Sequence, residues 1–349
     1  MELNSRKQEI LLAIITEYID TAEPVGSRTI ARKYKLGISP ATIRNEMADL
    51  EEMGFIEQPH TSAGRIPSER GYRYYVDYLM HKYQLSPDEE DLIRQEYTSK
   101  ARDIGLLLQR TGQLLSQLTH CASVVQSPKM EAGSYKHIQL VELGMGRAML
   151  VLVMDNGTIQ HRLIEIPSSI TGGDLATISS VLNAKLSGHT IETIKFTLIK
   201  EIYLELTRHR HILDLVLEVL RYSLTPGAED KIYLGGLFNM LSQPEFHNIE
   251  KVKTLLSLLE QESLLASLLA QISKPGVNVR IGGEISCRAI QDCSMVIATY
   301  EVGGQPIGSL GVLGPIRMDY AKVISVVDYM TRHLSSALER LFRGGGNQI

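Results

Sequence analysis

Cysteine is scarce in this chain, long apolar runs are missing, and there is no excess of positive charge. The 349 residues contain three cysteines, Cys121, Cys287 and Cys293. They are too few and too scattered for a disulfide framework, and none has the Cys-x-x-Cys spacing of a zinc or redox site. No run of eighteen or more apolar residues occurs, which excludes an ordinary membrane-spanning helix. The opening residues Met1 to Lys7 lack the apolar block of a secretory signal. With 36 Lys and Arg against 40 Asp and Glu, the formal net charge is −4. A protein that coats nucleic acid through overall charge is thereby excluded, and any contact with DNA has to come from a local patch. Catalytic groupings are missing too. Gly282-Gly283-Glu284 and Val302-Gly303-Gly304 are glycine turns without the Lys-Ser/Thr of a phosphate loop. The expectation is a cytoplasmic protein of two or three domains with no catalytic residue, metal or cofactor.

What is present begins with a helix–turn–helix pattern. Leu3, Ile10, Leu11, Ile14, Tyr18 and Ile19 recur at helical spacing, and Glu23-Pro24 ends that helix. Val25-Gly26 makes a turn. A short helix carrying Arg28, Arg32, Lys33 and Lys35 follows from Ser27 and stops at Gly37. Ser39 then caps a third helix with Pro40 at its first position, where the missing N–H costs nothing. On a helical wheel Ile43, Met47 and Leu50 share the inward side. The opposite side shows Ala41, Asn45 and Ala48, flanked by Thr42 and Arg44. Small residues let such a helix approach a major groove closely, and Arg and Asn suit guanine and adenine edges. The segment Pro59-His60-Thr61-Ser62-Ala63-Gly64-Arg65-Ile66-Pro67 follows as a hairpin tip carrying one cation, as in the wing of a winged helix. Arg70 and Arg73 extend the basic character beyond it. Residues 28–73 hold eight Lys and Arg against six Asp and Glu, and most of those acids lie on or beyond the middle of the third helix. The candidate DNA-binding residues are therefore Ser39, Ala41, Thr42, Arg44 and Asn45 on the helix, with His60, Thr61, Ser62, Arg65, Arg70 and Arg73 around the wing. Tyr72, Tyr74, Tyr75 and Tyr78 serve either base stacking or packing.

Further along, the apolar spacing predicts one long helix from about Asp88 to Val125, interrupted at Gly105 or Gly112. Tyr135 to Leu143 and Arg147 to Met154 read as a hairpin about Gly144-Met145-Gly146, with a third strand from Thr158 to Ile166. Residues 175–248 are mainly helical, and the segment from His211 to Tyr222 is apolar nearly all round. Ile232 to Gly236 reads as a short strand and turn, and Val252 to Ile272 as one amphipathic helix. Strands are expected over Val277–Ile281, Cys287–Ile290, Ser294–Tyr300 and Pro306–Leu313, before a closing helix through Leu341. Strands on both sides of a helical block predict one interrupted α+β sheet domain.

Three stretches resemble a known family. Ser39-Pro40-Ala41-Thr42-Ile43-Arg44-Asn45-Glu46-Met47 is the first, and the Pro59–Pro67 loop with Gly71-Tyr72-Arg73 is the second. The third is Gly308-Ser309-Leu310-Gly311-Val312-Leu313-Gly314-Pro315-Ile316-Arg317-Met318-Asp319-Tyr320. They resemble, in order and over nearly the whole chain, the bacterial heat-inducible transcription repressors of the HrcA family. The resemblance implies an α+β multidomain fold: an N-terminal winged helix-turn-helix and a GAF-like α/β sheet domain interrupted by an inserted, mainly helical dimerising domain. On that reading residues 1–80 are the winged helix and 81–130 a helical connector. Residues 131–167 and 250–343 are the two halves of the GAF-like domain, 168–249 the insertion, and 344–349 a frayed tail. The resemblance also implies a homodimer on double-stranded DNA, at a CIRCE-type inverted-repeat operator of heat-shock chaperone operons. The GroE chaperonin would be its partner, and the operator-bound form would sit on the nucleoid. The other reading is a GAF-type regulator that senses a small molecule, with Cys287, Cys293 or Met295 lining the pocket.

Overall fold

The computed structural model describes residues 3–60, 63–98, 103–128, 134–155, 159–167, 169–189, 194, 196–206, 210–224, 231–246, 248–259, 261–270 and 276–344. Thr61 and Ser62 of the wing tip and the 345–349 tail lie outside them. Residues 1–127 with 231–338 make one compact unit, and residues 128–230 with 339–349 make a second.

The first unit opens with α1 (Ser5–Thr21), α2 (Ser27–Lys33) and α3 (Pro40–Glu52). The Asn4 side chain caps α1 by accepting from the Lys7 N–H at 2.9 Å, and Ser39 caps α3 by accepting from the Thr42 N–H at 3.1 Å. Ile43, Met47 and Leu50 are the buried residues of α3. Its last turn closes on Gly54 at φ 76, where the Gly54 N–H reaches the Glu51 carbonyl and the Phe55 N–H reaches Leu50. This double reversal satisfies carbonyls the helix leaves open, and the positive φ suits glycine. A two-stranded wing follows, β1 (Ile56–Glu57) against β2 (Ile66–Pro67), with Ile56 opposite Pro67. α4 (Glu69–Tyr74) then runs into a single π turn over Tyr75–Leu79.

The long helix expected over 88–125 is three elements: α5 (Pro87–Thr98), α6 (Ile104–Thr119) and strand β3 (Ala122–Gln126). Asp103 starts α6 afresh by accepting from the Leu106 N–H, and His120, at φ 54, ends it. Val124 and Val125 therefore fall in a strand, which suits their branched side chains.

The second unit contains β4 (Tyr135–Gly144), β5 (Arg147–Met154), β6 (Ile159–Glu165), α7 (Gly172–Leu186), α8 (Phe196–Glu205) and α9 (Arg210–Leu224). The expectation that these strands share a sheet with 277–313 is corrected: they form their own antiparallel sheet in the order β4-β5-β6. The hairpin closes locally on Met145 and Gly146, both at positive φ. The free edge of β4 is then taken by α7. Asn183 accepts from the Ile138 N–H and donates to the Ile138 carbonyl, while Ser179 accepts from the Leu140 N–H. An edge satisfied in this way cannot accept another strand. Ile138, Leu140, Leu150 and Leu152 pack with Leu175, Ile178 and Leu182 in one core, which Ile212, Leu213 and Val216 of α9 complete.

The chain returns to the first unit with β7 (Ile232–Gly235), α10 (Leu237–Leu241), α11 (Ile249–Leu259) and α12 (Glu262–Ala270). Then come β8 (Val277–Ile281), β9 (Cys293–Val302), β10 (Gln305–Pro315) and α13 (Tyr320–Gly344). The helix expected over 252–272 is split into α11 and α12, and Cys287–Ile290 is a turn with a short 3₁₀ segment over Arg288–Ile290 rather than a strand. The sheet is five-stranded and antiparallel throughout, in the order β7-β3-β10-β9-β8. One of its faces packs on α11 and α12 through Ala122, Val124, Met295, Ile297 and Leu313. Among the described residues no helix is long and apolar enough to cross a membrane.

Candidate nucleic-acid interface

The first α3 turns expose what the helical wheel placed there. Ser39, Ala41, Arg44, Asn45 and Ala48 are exposed and Thr42 is half-buried. The Ser39 and Thr42 hydroxyls lie 3.0 Å apart, so they form a linked pair at the end of a 13-residue helix whose first N–H groups point outward. Such an end attracts anions. Among the described residues neither Arg44 nor Asn45 has a side-chain hydrogen bond or ion pair, and both remain available.

The acids of α3 lie elsewhere, and three of the four, Glu46, Asp49 and Glu51, are matched. Glu46 receives Lys7 Nζ at 2.7 Å and Arg6 at 3.5 Å, and Asp49 receives Lys7 at 2.9 Å. Hydrogen bonds to Glu46 and Asp49 raise the Lys7 ammonium above its ordinary value. Glu51 receives Arg65 at 2.7 Å. The helix thus keeps carboxylates that would repel phosphates, with a cation against each of these three. Lys33 and Tyr34 at the end of α2 bond to Glu17 of α1, and Lys33 holds that carboxyl below its usual range.

The wing is attached by its backbone. Val25 and Arg65 exchange two hydrogen bonds, at 2.8 and 2.9 Å, adding the turn before α2 to the returning strand. A side chain at Gly64 would meet the Val25 carbonyl at 2.6 Å, so only glycine permits this approach. His60 is exposed at the tip, and Ala63 closes a turn onto its carbonyl.

Arg65, Arg70 and Arg73, grouped as one basic cluster in the sequence, each have a separate partner in the fold. Arg65 is held by Glu51. Arg70 lies over the Phe55 ring, 4.6 Å from its centroid, and donates to the Met53 carbonyl at 2.8 Å. Met53 is at the opposite end of α3 from Ser39, about 20 Å away along a helix of this length. Arg73 donates to both oxygens of Glu284, at 2.8 and 2.5 Å, and to the Val279 carbonyl and Asp77. The tyrosines divide as well. Tyr72 and Tyr75 are buried, Tyr74 packs edge-on to Phe55, and Tyr78 is 73% exposed. Beside them a cavity of about 560 Å³ is lined by Leu3, Gln8, Phe55, Arg70, Tyr74 and Tyr78, among others. Cys293 and Met295 belong to the sheet core and Cys287 packs against it.

Sequence reasoning missed Lys7 and Glu51. Each is an unremarkable charge in the chain, and its role depends on a partner 39 to 42 residues away for Lys7 and 14 away for Glu51.

Two family models match this chain. One, for the winged helix-turn-helix DNA-binding domain of the HrcA transcription repressor, matches residues 2–76, and one for the HrcA C-terminal domain matches 106–324. A heat-inducible transcription repressor HrcA of Pelotomaculum thermopropionicum is 65% identical over 99% of this chain and 100% of its own length. One from Desulforamulus reducens is 59% identical over 99% of each. A crystal structure described as that of a hypothetical protein superposes with a TM-score of 0.67 at 24% identity, over 97% of this chain and 100% of its own. That last likeness concerns the fold alone.

Proposed function

The chain belongs to the HrcA family of heat-inducible transcription repressors, and from that premise we propose that it represses heat-shock chaperone operons by binding a CIRCE-type inverted repeat as a homodimer, under the influence of the GroE chaperonin. The observation that carries the DNA contact is the asymmetry of α3: Arg44 and Asn45 are unengaged among the described residues, while Glu46, Asp49 and Glu51 behind them face Lys7, Arg6 and Arg65. Each head places the N-terminal half of α3 in a major groove. Arg44 and Asn45 read bases there, Ser39 and Thr42 hold phosphate at the helix end, and Ala41 and Ala48 allow close approach. The wing, with His60, Thr61 and Ser62, follows the flanking backbone. Arg65 serves it from the Glu51 pair, and Arg70 is a peripheral phosphate contact. Arg73 is reassigned to an internal role by its grip on Glu284.

The homodimer reading is supported by the outer face of the β4-β5-β6 sheet. Val141, Met149 and Leu163 lie in one cross-strand row, Val151 stands between Gln139 and His161 in the next, and Val153 and Ile159 lie with His137 in the one after, so that six of nine positions are apolar. Val141, Leu163 and Ile159 are 43, 52 and 64% exposed in the single chain. An apolar face of this kind fits burial against a second copy, which makes the 128–230 unit the dimerising one and the five-stranded unit the GAF-like one. The same face, wet in a lone chain, is what a chaperonin would hold. Two heads on a two-fold axis then match an inverted repeat. Bound to the promoter in the cytoplasm, the dimer excludes polymerase.

A competition gel shift tests this, with a CIRCE-type repeat against scrambled DNA of equal length, with and without chaperonin. Selective binding that chaperonin strengthens is the expected result. Equal, weak binding to both DNAs would remove the operator assignment and turn the search to a small-molecule effector.

A further inference from the structure

The DNA-binding head leaves its last helical turn through Met80 in extended backbone, and no helix or strand forms before Pro87. A connection of that kind would by itself let a head swing. Yet the head is fastened to the five-stranded sheet at two separate places. The first is the edge strand β8 and the turn after it. Arg73 grips both Glu284 oxygens and the Val279 carbonyl, and Glu69 accepts from the Gly283 N–H at 3.0 Å. The turn is shaped for this contact: Gly282 stands at φ 52, and a side chain there would strike the Glu69 carboxyl at 2.2 Å. Glu284 is itself held in place, because it also accepts from the Ile281 N–H at 2.9 Å. The second place is the loop before α13. Arg317 donates to the Ile19 carbonyl near the end of α1 while its other nitrogens hold Glu245 and Gln243. Between the two, the Tyr72 ring sits 5.7 Å from that of Tyr320 and is buried.

We propose that Glu284, Glu69 and Arg317 are positioning residues that fix the angle of the DNA head on its own sheet, so that the folded body dictates the operator's half-site spacing. None of them touches DNA. The inference rests on the dimer and inverted-repeat reading above. Its physical basis is geometric: Arg73 on Glu284 is a two-point guanidinium–carboxylate contact, which fixes direction as well as distance. Arg317, at a site remote in sequence, removes the remaining rotation.

The experiment compares the full-length protein with Glu284→Gln, which keeps an acceptor for Ile281 but loses the charge that holds Arg73. Binding is measured at fixed salt by fluorescence anisotropy on three duplexes: the inverted repeat, the same repeat with its spacer lengthened by half a helical turn, and a single half-site. The wild type should lose about tenfold or more on the lengthened repeat, because two heads no longer engage together. Glu284→Gln should lose only about threefold or less, with half-site affinity and Tm close to wild type. If the folded variant keeps the full spacing penalty, the inference falls while the dimer reading stands. If the wild type itself ignores spacing, the dimer reading falls and takes this inference with it. Should Glu284→Gln not fold, Glu69→Gln, which weakens the contact to Gly283, is read by the same criteria.

Discussion

At its N-terminal end α3 carries Arg44 and Asn45 with no partner among the described residues, whereas at its C-terminal end the nearby arginines are all engaged: Arg65 by Glu51, Arg70 by Phe55 and the Met53 carbonyl, and Arg73, across the head, by Glu284. The same side chain therefore has two uses within thirty residues. What separates them is the presence of a carboxylate or carbonyl brought in from elsewhere in the fold. A basic residue left unmatched on a helix face is available to a nucleic acid; one gripped on two sides inside the protein, as Arg73 is by Glu284, is a structural tie, and Arg65 and Arg70 reach a phosphate only at the cost of their own contacts.

The largest test of this contrast is at the C-terminal end, where Gly71→Ala puts a methyl group 2.1 Å from the Phe55 carbonyl oxygen. Alanine gains about 1 kcal/mol in helix propensity, but the overlap is with backbone and should cost about 3 kcal/mol net. A lowered Tm, read by calorimetry, is the expected outcome; an unchanged one would mean that α4 is free to shift. Next comes the other end of α3. Arg44→Ala or Asn45→Ala should lose about 1–3 kcal/mol on the operator and relax base preference, with Tm unmoved. Retained discrimination in a binding-site selection would displace α3 from the groove. Lys7→Met is smaller and more diagnostic, since it uncovers Glu46 and Asp49 without touching a candidate DNA-binding residue. Operator affinity should fall about two- to fivefold, more at low salt than at high.

The smallest effect concerns pH and lies away from the head, where Glu89 of α5 meets Lys322 of α13 at 2.9 Å. Burial pushes the Glu89 carboxyl up, but hydrogen bonds from Lys322, the Ser86 N–H and Tyr83 outweigh it and bring it down to about 2. Because the folded value lies below the ordinary 4.5, this group stabilises the fold above pH 4.5 and loses that contribution as the pH falls toward 2. Lys322→Met should flatten the acid limb of a Tm-versus-pH curve over that window while leaving DNA binding at neutral pH unchanged.

How much of this was legible before folding varies with the range of the interactions. The helices of the head were legible, because Ser39, Pro40 and Gly54 act on their immediate neighbours and Ile43, Met47 and Leu50 repeat within one helix, while the ion pairs of Lys7, Arg65 and Arg73 were not. Residues 88–125 were not. Their helical spacing runs on past Thr119, and only the left-handed His120 and the pairing of β3 with β7 and β10 turn Val124 and Val125 into a strand. The β4-β5 hairpin was visible from its Gly144-Met145-Gly146 turn, but that β4, β5 and β6 form a sheet of their own was not, and neither were the bonds of Asn183 and Ser179 to the β4 edge, 45 and 39 residues away.

The amino-acid sequence alone determined the caps, the inward stripe of α3, the candidate reading face with Arg44 and Asn45, and the family. Each is written in residues close together along the chain, where backbone geometry and helical period leave little choice. Only the tertiary structure decided which arginines are matched inside the protein, which strands share a sheet, and how the head is fastened. Those outcomes turn on pairings such as Arg73 with Glu284, 211 residues apart, and the energy of a charge depends on what stands beside it in space, which no local pattern records.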